Sequence, residues 1–272
     1  LVFRLCFLTG DNSVLYCSIN GQQVDLLSAK NRGFNYGDGL FTTAKIFKGE
    51  IEMLAQHIQR LDEGCAWLNI PTISLSELSQ ELIAIALPYS KAVIKIVITA
   101  GEGGRGYSRI GISLPTVAIS ISSFPDYYDE WQKSGINVGI SQLKLGINPM
   151  LGNIKHLNRL EQVLIRQELD QRVEDELLVT NIDGFVIEAS GANVFWLTDD
   201  KLYTPNISHS GVAGLMRAKI LARLPHTIIK DFTLDDLHHV QAMFICNSVM
   251  GIVPIKTFNG KLLAVDKVNS YK

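Results

Sequence analysis

Apolar residues recur along this chain at two spacings, every second residue or every third and fourth, and the switches between them lay out short strands and amphipathic helices. From Leu15 the pattern is a strand, the turn signal Ile19-Asn20-Gly21, and further strand. Phe41 to Phe47 alternates as a strand and ends at Lys48-Gly49-Glu50. Leu54, Ile58, Leu61, Cys65 and Leu68 then fall on one helical face. Ser74 and Glu77 form a capping box ahead of a second helix carrying Leu78, Leu82 and Ile85, which closes near Pro88. Ala92–Thr99 and Thr116–Ser122 are β-rich. The stretch Phe124–Gly135 breaks the rhythm with Pro125, Trp131 and the acids Asp126, Asp129 and Glu130, and reads as an interdomain linker.

The second half opens with a strand around Ile136–Leu143. A helix is expected from about Leu157 to Gln171, with Leu157, Leu160, Leu164 and Leu169 facing inward. Short strands follow at Leu177–Thr180, Phe185–Glu188, Asn193–Leu197 and Lys201–Tyr203, joined by turns such as Asp183-Gly184. A helix at Leu215–Leu224, a strand near Thr227–Lys230, a short helix after Thr233 and a strand at Met243–Cys246 complete the series. Helices and strands mix without regular alternation, so the expectation is an α+β protein with mixed and antiparallel sheets. Its parts are residues 1–13, a domain over 14–123, the linker 124–135 and a second domain over 136–272.

Composition adds boundaries. Among 272 residues, 25 basic side chains stand against 27 acidic ones, and without a basic excess nucleic acid is not the expected partner. No apolar run reaches the roughly 20 residues that span a bilayer, so no membrane partner is expected. Leu1–Leu8 is apolar, but Arg4 interrupts it and Asp11 follows without a cleavage pattern, so it does not read as a signal peptide. Cys6, Cys17, Cys65 and Cys246 form no CxxC pair and fit a reducing cytoplasm. The six histidines form neither HxxxH nor HExxH, so no metal is expected.

One motif misleads. Gly101-Glu102-Gly103-Gly104-Arg105-Gly106 fits the dinucleotide pattern GxGxxG, but that pattern works only where a helix N-terminus follows to hold a pyrophosphate. Here Tyr107-Ser108-Arg109-Ile110-Gly111-Ile112 and Pro115 lead to another strand, so the stretch reads as a hairpin loop carrying an arginine. Neither a GxSxG elbow nor a GxxxxGK[ST] phosphate loop is present.

Two blocks carry chemistry. In Gly152-Asn153-Ile154-Lys155-His156-Leu157-Asn158-Arg159 a lysine lies between a loop and apolar neighbours. In Glu188-Ala189-Ser190-Gly191-Ala192-Asn193-Val194-Phe195 an acid ends a β run, and small residues follow that let a flat ring approach the backbone. With His57-Ile58-Gln59-Arg60-Leu61, Gly214-Leu215-Met216-Arg217 and Cys246-Asn247-Ser248, these blocks resemble the class IV, D-amino-acid and branched-chain aminotransferase-like family of pyridoxal-phosphate enzymes. Phe34-Asn35-Tyr36-Gly37-Asp38-Gly39-Leu40-Phe41-Thr42-Thr43, Gly103–Ser108 and Ile154–Gln162 are similar to its lyase branch, which acts on 4-amino-4-deoxychorismate.

The resemblance implies that fold and pyridoxal 5′-phosphate as cofactor. Lys155 resembles the residue that forms the Schiff base and moves protons, a role open only to a primary amine that is neutral part of the time. Glu188 is similar to the acid paired with the pyridine nitrogen, and Arg60 to the phosphate-binding arginine. Leu215 and Met216 would add backbone donors to the phosphate, with Asn247 and the Ser248 hydroxyl beside them. Taken singly, Arg60 reads as a solvated helix charge, Glu188 as a strand carboxylate and Ser248 as a strand-end serine. Arg105 and Tyr107 would meet a substrate carboxylate, bidentate in the case of Arg105. Thr43, on the strand face of Phe41 and Lys45, would position Lys155 or the leaving group, although β propensity alone also places a threonine there. The product pair would be 4-aminobenzoate and pyruvate. The alternatives are a branched-chain or D-amino-acid aminotransferase of the same fold, and a binding protein without catalysis. The resemblance further implies a homodimer with the cofactor between the two domains of each subunit. Family members begin near Ile19-Asn20-Gly21, so residues 1–13 are an extension to which no function is attached.

Overall fold

The β-rich stretches of the first half join into one antiparallel sheet. The structure, a computed structural model, describes residues 2–4, 14–71, 73–112 and 114–272, so most of the 1–13 extension lies outside the described residues. Strand β1 (Val2–Arg4) pairs with β3 (Leu26–Ser28), apart from the main sheet. That sheet consists of β2 (Val14–Ile19), β4 (Gly39–Phe47), β5 (Glu50–Ile51), β6 (Lys91–Thr99) and β7 (Thr116–Ser123), in the order β2-β7-β6-β4-β5. The turn after β2 is the two-residue type that Asn-Gly favours: Asn20 and Gly21 take φ of 49° and 74°, and Ile19 and Gln22 exchange hydrogen bonds of 2.9 and 3.0 Å.

Period-two burial follows the alternation in the sequence. Leu40, Thr42, Ala44 and Ile46 of β4 are buried, whereas Phe41, Thr43 and Lys45 face the other side. Ala92, Ile94, Ile96 and Ile98 of β6 continue the buried face. Helices α2 (Leu54–Trp67) and α3 (Leu75–Ala86) cover it with Leu61, Cys65, Leu78 and Leu82. Each fully buried Leu or Ile contributes about 2 kcal/mol, so this layer is the main support of the unit. The short α1 (Arg32–Tyr36), capped by Asn31, is a helix that periodicity did not indicate.

In the second half lie α4 (Tyr127–Ser134), β8 (Ile136–Ile140), α5 (Leu160–Leu169), β9 (Glu176–Thr180), β10 (Val186–Ala189), β11 (Asn193–Thr198) and β12 (Lys201–Pro205). They are followed by α6 (Leu215–Arg223), β13 (Ile228–Lys230), β14 (Ala242–Asn247), β15 (Gly251–Phe258) and β16 (Lys261–Leu262). The strands form a mixed sheet ordered β10-β9-β8-β15-β14-β11-β12-β13, with β16 on β15. β8 runs parallel to both β9 and β15, and β12 parallel to β13, while the remaining pairs are antiparallel. The expected α+β class with mixed and antiparallel sheets is therefore the class observed. Short 3₁₀ turns at Asp235–Leu237 and Asp266–Tyr271 complete it.

The chain divides into two compact units, residues 1–125 with 155–158, and residues 126–154 with 159–272. Several local expectations need correction. The stretch read as a linker is largely helix α4: its acids Asp129 and Glu130 are exposed, while Tyr128 and Trp131 pack on the second unit's core and Gln132 donates to the Met250 carbonyl. The helix expected from Leu157 starts at Leu160, because the backbone groups of Lys155 and Leu157 bond to β4 instead. Its buried side is Ile165 and Leu169; Leu160 and Leu164, expected inward, are 70% and 46% exposed. β15, an inner strand between β14 and β8, was missed because Pro254 and Lys256 interrupt its apolar run.

Candidate active site

In the first unit the site is built on an open strand edge. β5 covers only Ile46 and Phe47 at the end of β4, which leaves the backbone groups of Gly39–Phe41 in need of partners. Residues 155–158 supply them. Phe41 N–H donates to the Lys155 carbonyl at 2.9 Å, Leu157 N–H to the Gly39 carbonyl at 3.0 Å, and the Asn158 amide to the Gly37 carbonyl at 3.1 Å. The backbone of Lys155 is thereby fixed, and its ammonium lies 4.5 Å from the centroid of the Phe41 ring. Thr43 shares the strand face of Phe41. It also pairs across the sheet with Lys95, whose Nζ lies 4.9 Å from the same ring.

α2 adds two residues one turn apart. His57 is 1% exposed, and its Nδ1 shares a 2.5 Å hydrogen bond with the Thr42 hydroxyl. Burial, reinforced by the charges of Arg60 and Lys155, pushes its pKa down to about 3, so the ring is neutral at physiological pH. Its Nε2 is buried without a hydrogen-bond partner among the described residues. Burial likewise pushes the Arg60 guanidinium down to about 10, against the opposing pull of Glu63, which still leaves it cationic. Arg60 is thus no solvated surface charge. The structure brings both Lys155 and Arg60 within electrostatic reach of His57, to which the sequence block containing it assigns no role; its i, i+3 spacing to Arg60 was the available signal.

The second unit holds Glu188 on β10. It is 5% exposed, its Oε2 accepts the Val212 N–H at 2.9 Å, and it faces the charge of Arg159. Asn193 on β11 donates to the Val212 carbonyl at 2.9 Å, which holds in place the segment carrying that N–H. Arg159, another residue without an assigned role, donates to the Ile154 carbonyl, and burial lowers its pKa against the opposing pull of Glu188 and Glu161. Helix α6 begins at Leu215 without a side-chain cap on Gly214, so the first-turn N–H groups at Leu215 and Met216 keep their capacity to bind an anion. Ser248 sits in the turn between β14 and β15. Asn247 braces that turn: its Oδ1 accepts from Val249 and Met250 at 2.9 and 2.8 Å, and its amide donates to the Gly191 carbonyl at 3.1 Å.

The glycine-rich stretch joins two antiparallel neighbours, β6 and β7, with no helix after it, so the dinucleotide reading does not hold. Arg105 is exposed on this loop and Tyr107 is 90% exposed, its ring 5.6 Å from that of Tyr36. The loop closes around Arg32, which is 3% exposed and which periodicity gave no reason to single out. Among the described residues, no group of three or more His, Cys, Asp and Glu could hold a metal, and no helix is long and apolar enough to cross a membrane.

One unit carries a mixed sheet with a buried acid and a helix that starts without a side-chain cap, and the other an antiparallel sheet with a lysine fixed on its strand edge, which together make an α+β fold. Solved structures give this fold its class. The 4-amino-4-deoxychorismate lyase of Pseudomonas aeruginosa superposes with a TM-score of 0.87 and 33% identity, over 93% of this chain and 98% of that one. A hypothetical aminotransferase of Mycobacterium tuberculosis, in a form bound to pyridoxal phosphate, gives 0.80 at 17% identity, over 92% of this chain and 93% of that one. The aminodeoxychorismate lyase of Vibrio harveyi is 39% identical over 87% of this chain and 89% of its own length. Residues 39–258 match the family described as amino-transferase class IV. The chain belongs to that family.

Proposed function

We propose that the protein is a pyridoxal-phosphate-dependent lyase that converts 4-amino-4-deoxychorismate to 4-aminobenzoate and pyruvate, a step toward folate. The observation that carries this reading is the likeness to the Vibrio harveyi enzyme over most of both chains. The donor set fits the cofactor: a primary amine at Lys155, a buried carboxylate at Glu188, a partly buried guanidinium at Arg60 and an uncapped helix start at Leu215. When bound, pyridoxal 5′-phosphate supplies a carbonyl that condenses with amines and a ring that accepts an electron pair.

Each residue then has a task. Lys155 Nζ would attach the cofactor, Glu188 would keep a proton on its ring nitrogen, and Arg60, Ser248 and the N–H groups of Leu215 and Met216 would be the donors to its phosphate. Neutral His57 adds no third charge beside Lys155 and Arg60, and its bond to Thr42 holds the ring still. Released when the substrate amine takes its place, Lys155 Nζ would take the proton from the amine-bearing carbon of the substrate and later return it to the enolpyruvyl carbon, acting as base and then as acid. Breaking the enolpyruvyl C–O bond makes the carbocycle aromatic. Thr43 positions Lys155 or the leaving group, and Arg105 with Tyr107 meets a substrate carboxylate.

Borohydride reduction of the holoenzyme followed by peptide mass analysis is the test of attachment. A phosphopyridoxyl adduct on the Lys155 peptide is expected, and its absence would remove both this reading and the aminotransferase one. Transfer from an amino donor to 2-oxoglutarate, with no pyruvate formed from aminodeoxychorismate, would decide for the aminotransferase. The reading includes a homodimer, supported by the exposed stripe Leu160, Val163 and Leu164 on α5. It also includes a cytoplasmic setting, which the free thiols of Cys17, Cys65 and Cys246 fit.

A further inference from the structure

The loop that carries Arg105 and Tyr107 has an internal fastening. We propose that Arg32, held by Asp38, is a positioning residue that shapes the 101–112 loop and so sets the strength with which Arg105 and Tyr107 bind a substrate carboxylate. This rests on the lyase reading and deepens it.

Every nitrogen of the Arg32 guanidinium is engaged. Nε donates to Asp38 Oδ2 at 2.7 Å. Nη1 donates to the carbonyls of Gly103, Gly106 and Ser108 at 3.3, 3.2 and 3.1 Å, and Nη2 to that of Tyr107 at 3.1 Å. Four carbonyls of one short loop therefore converge on a single cation. With its carbonyls turned inward, the loop presents the side chains of Arg105 and Tyr107 outward, where both are exposed. The glycines make this possible: Gly104 has φ +75°, and a Cβ there would lie 2.3 Å from the Ser108 carbonyl and 2.9 Å from Arg32 Nη1.

Asp38 anchors the cation and extends the fastening. It also pairs with Arg109, whose Nη1 donates to the carbonyls of Leu68 and Asn69 just after α2, the helix that carries His57 and Arg60. Burial would raise the pKa of Asp38, but hydrogen bonds from Arg109 and Arg32 hold it below the usual carboxylate range, so the anchor stays charged. Lysine could keep the charge opposite Asp38, yet a single ammonium cannot reach Asp38 and four spread carbonyls together.

Steady-state kinetics of pyruvate release on the holoenzyme test this. Arg32→Lys is expected to raise KM for aminodeoxychorismate by about tenfold, with kcat within about twofold and the cofactor absorbance unchanged. Arg105→Ala should raise KM as well, and the double variant should be no worse than Arg105→Ala alone. Generalised damage to the fold would instead lower kcat or cofactor content. Should Arg105→Ala raise KM while Arg32→Lys leaves it unchanged, the positioning role is wrong and the carboxylate reading stands. Should Arg105→Ala leave KM unchanged, the carboxylate reading fails and the proposal goes with it. Gly104→Ala, which keeps the Arg32–Asp38 pair but crowds Nη1, serves if Arg32→Lys does not fold: the same rise supports the proposal, and an unchanged KM overturns it.

Discussion

His57 shows how burial makes chemistry out of an ordinary side chain. Its imidazole stays neutral until about pH 3 in the folded protein, whereas an unfolded histidine takes up a proton near 6.5. The unfolded state therefore binds more protons between these values, so the stabilisation is fully present above about pH 6.5 and is lost as pH falls toward about 3. Between pH 6.5 and 5 the loss amounts to about 2 kcal/mol. Urea unfolding at the two pH values should show that loss in the native protein and a correspondingly smaller one in His57→Gln; equal slopes would show that the histidine is not the group responsible. Lys155, Arg60 and Glu188 stand out as candidates in the sequence because their chemistry lies in the residue type and in blocks that keep their order. His57, Arg32 and Arg159 do not, since each depends on partners brought close by folding: a threonine on β4, carbonyls more than 70 positions away, and an acid on β10.

Among the elements, the segment 155–158 matters most. It is neither helix nor independent strand, and its place follows from the edge of β4 that β5 leaves uncovered. Local periodicity cannot reveal such a choice, because the partner of Lys155 lies more than a hundred residues earlier; hence the helix was expected three residues too early. Strands and helices with a clear period, such as β4, β6, α2 and α3, were found within a residue or two. Pro254 and the polar run Tyr127–Ser134 concealed β15 and α4. At the same scale, Asp38 joins three elements through two guanidiniums, and Asp38→Asn would leave the buried cation of Arg32 without its counter-charge. A loss of about 3 kcal/mol is expected by urea denaturation. A change below about 0.5 kcal/mol, the range of ordinary surface substitutions, would show that the pairs do not support the loop.

For the whole molecule, the near balance of 25 basic and 27 acidic residues suits an enzyme whose anionic ligands need only a few placed cations. Leu160 and Leu164, expected to face inward, lie exposed with Val163, and periodicity alone could not distinguish an inward stripe from one facing a partner subunit. If this stripe joins two copies, Leu160→Glu combined with Leu164→Glu should shift the mass in sedimentation velocity from two chains toward one. An unchanged mass would place the interface elsewhere. The proposed reaction is tested most directly by supplying 4-amino-4-deoxychorismate, without any 2-oxo acid, to the holoenzyme while both products are followed. Pyruvate and 4-aminobenzoate should appear in equal amounts, and Lys155→Ala should abolish both. Substrate left intact by the native holoenzyme, or products formed equally well by Lys155→Ala, would contradict the account.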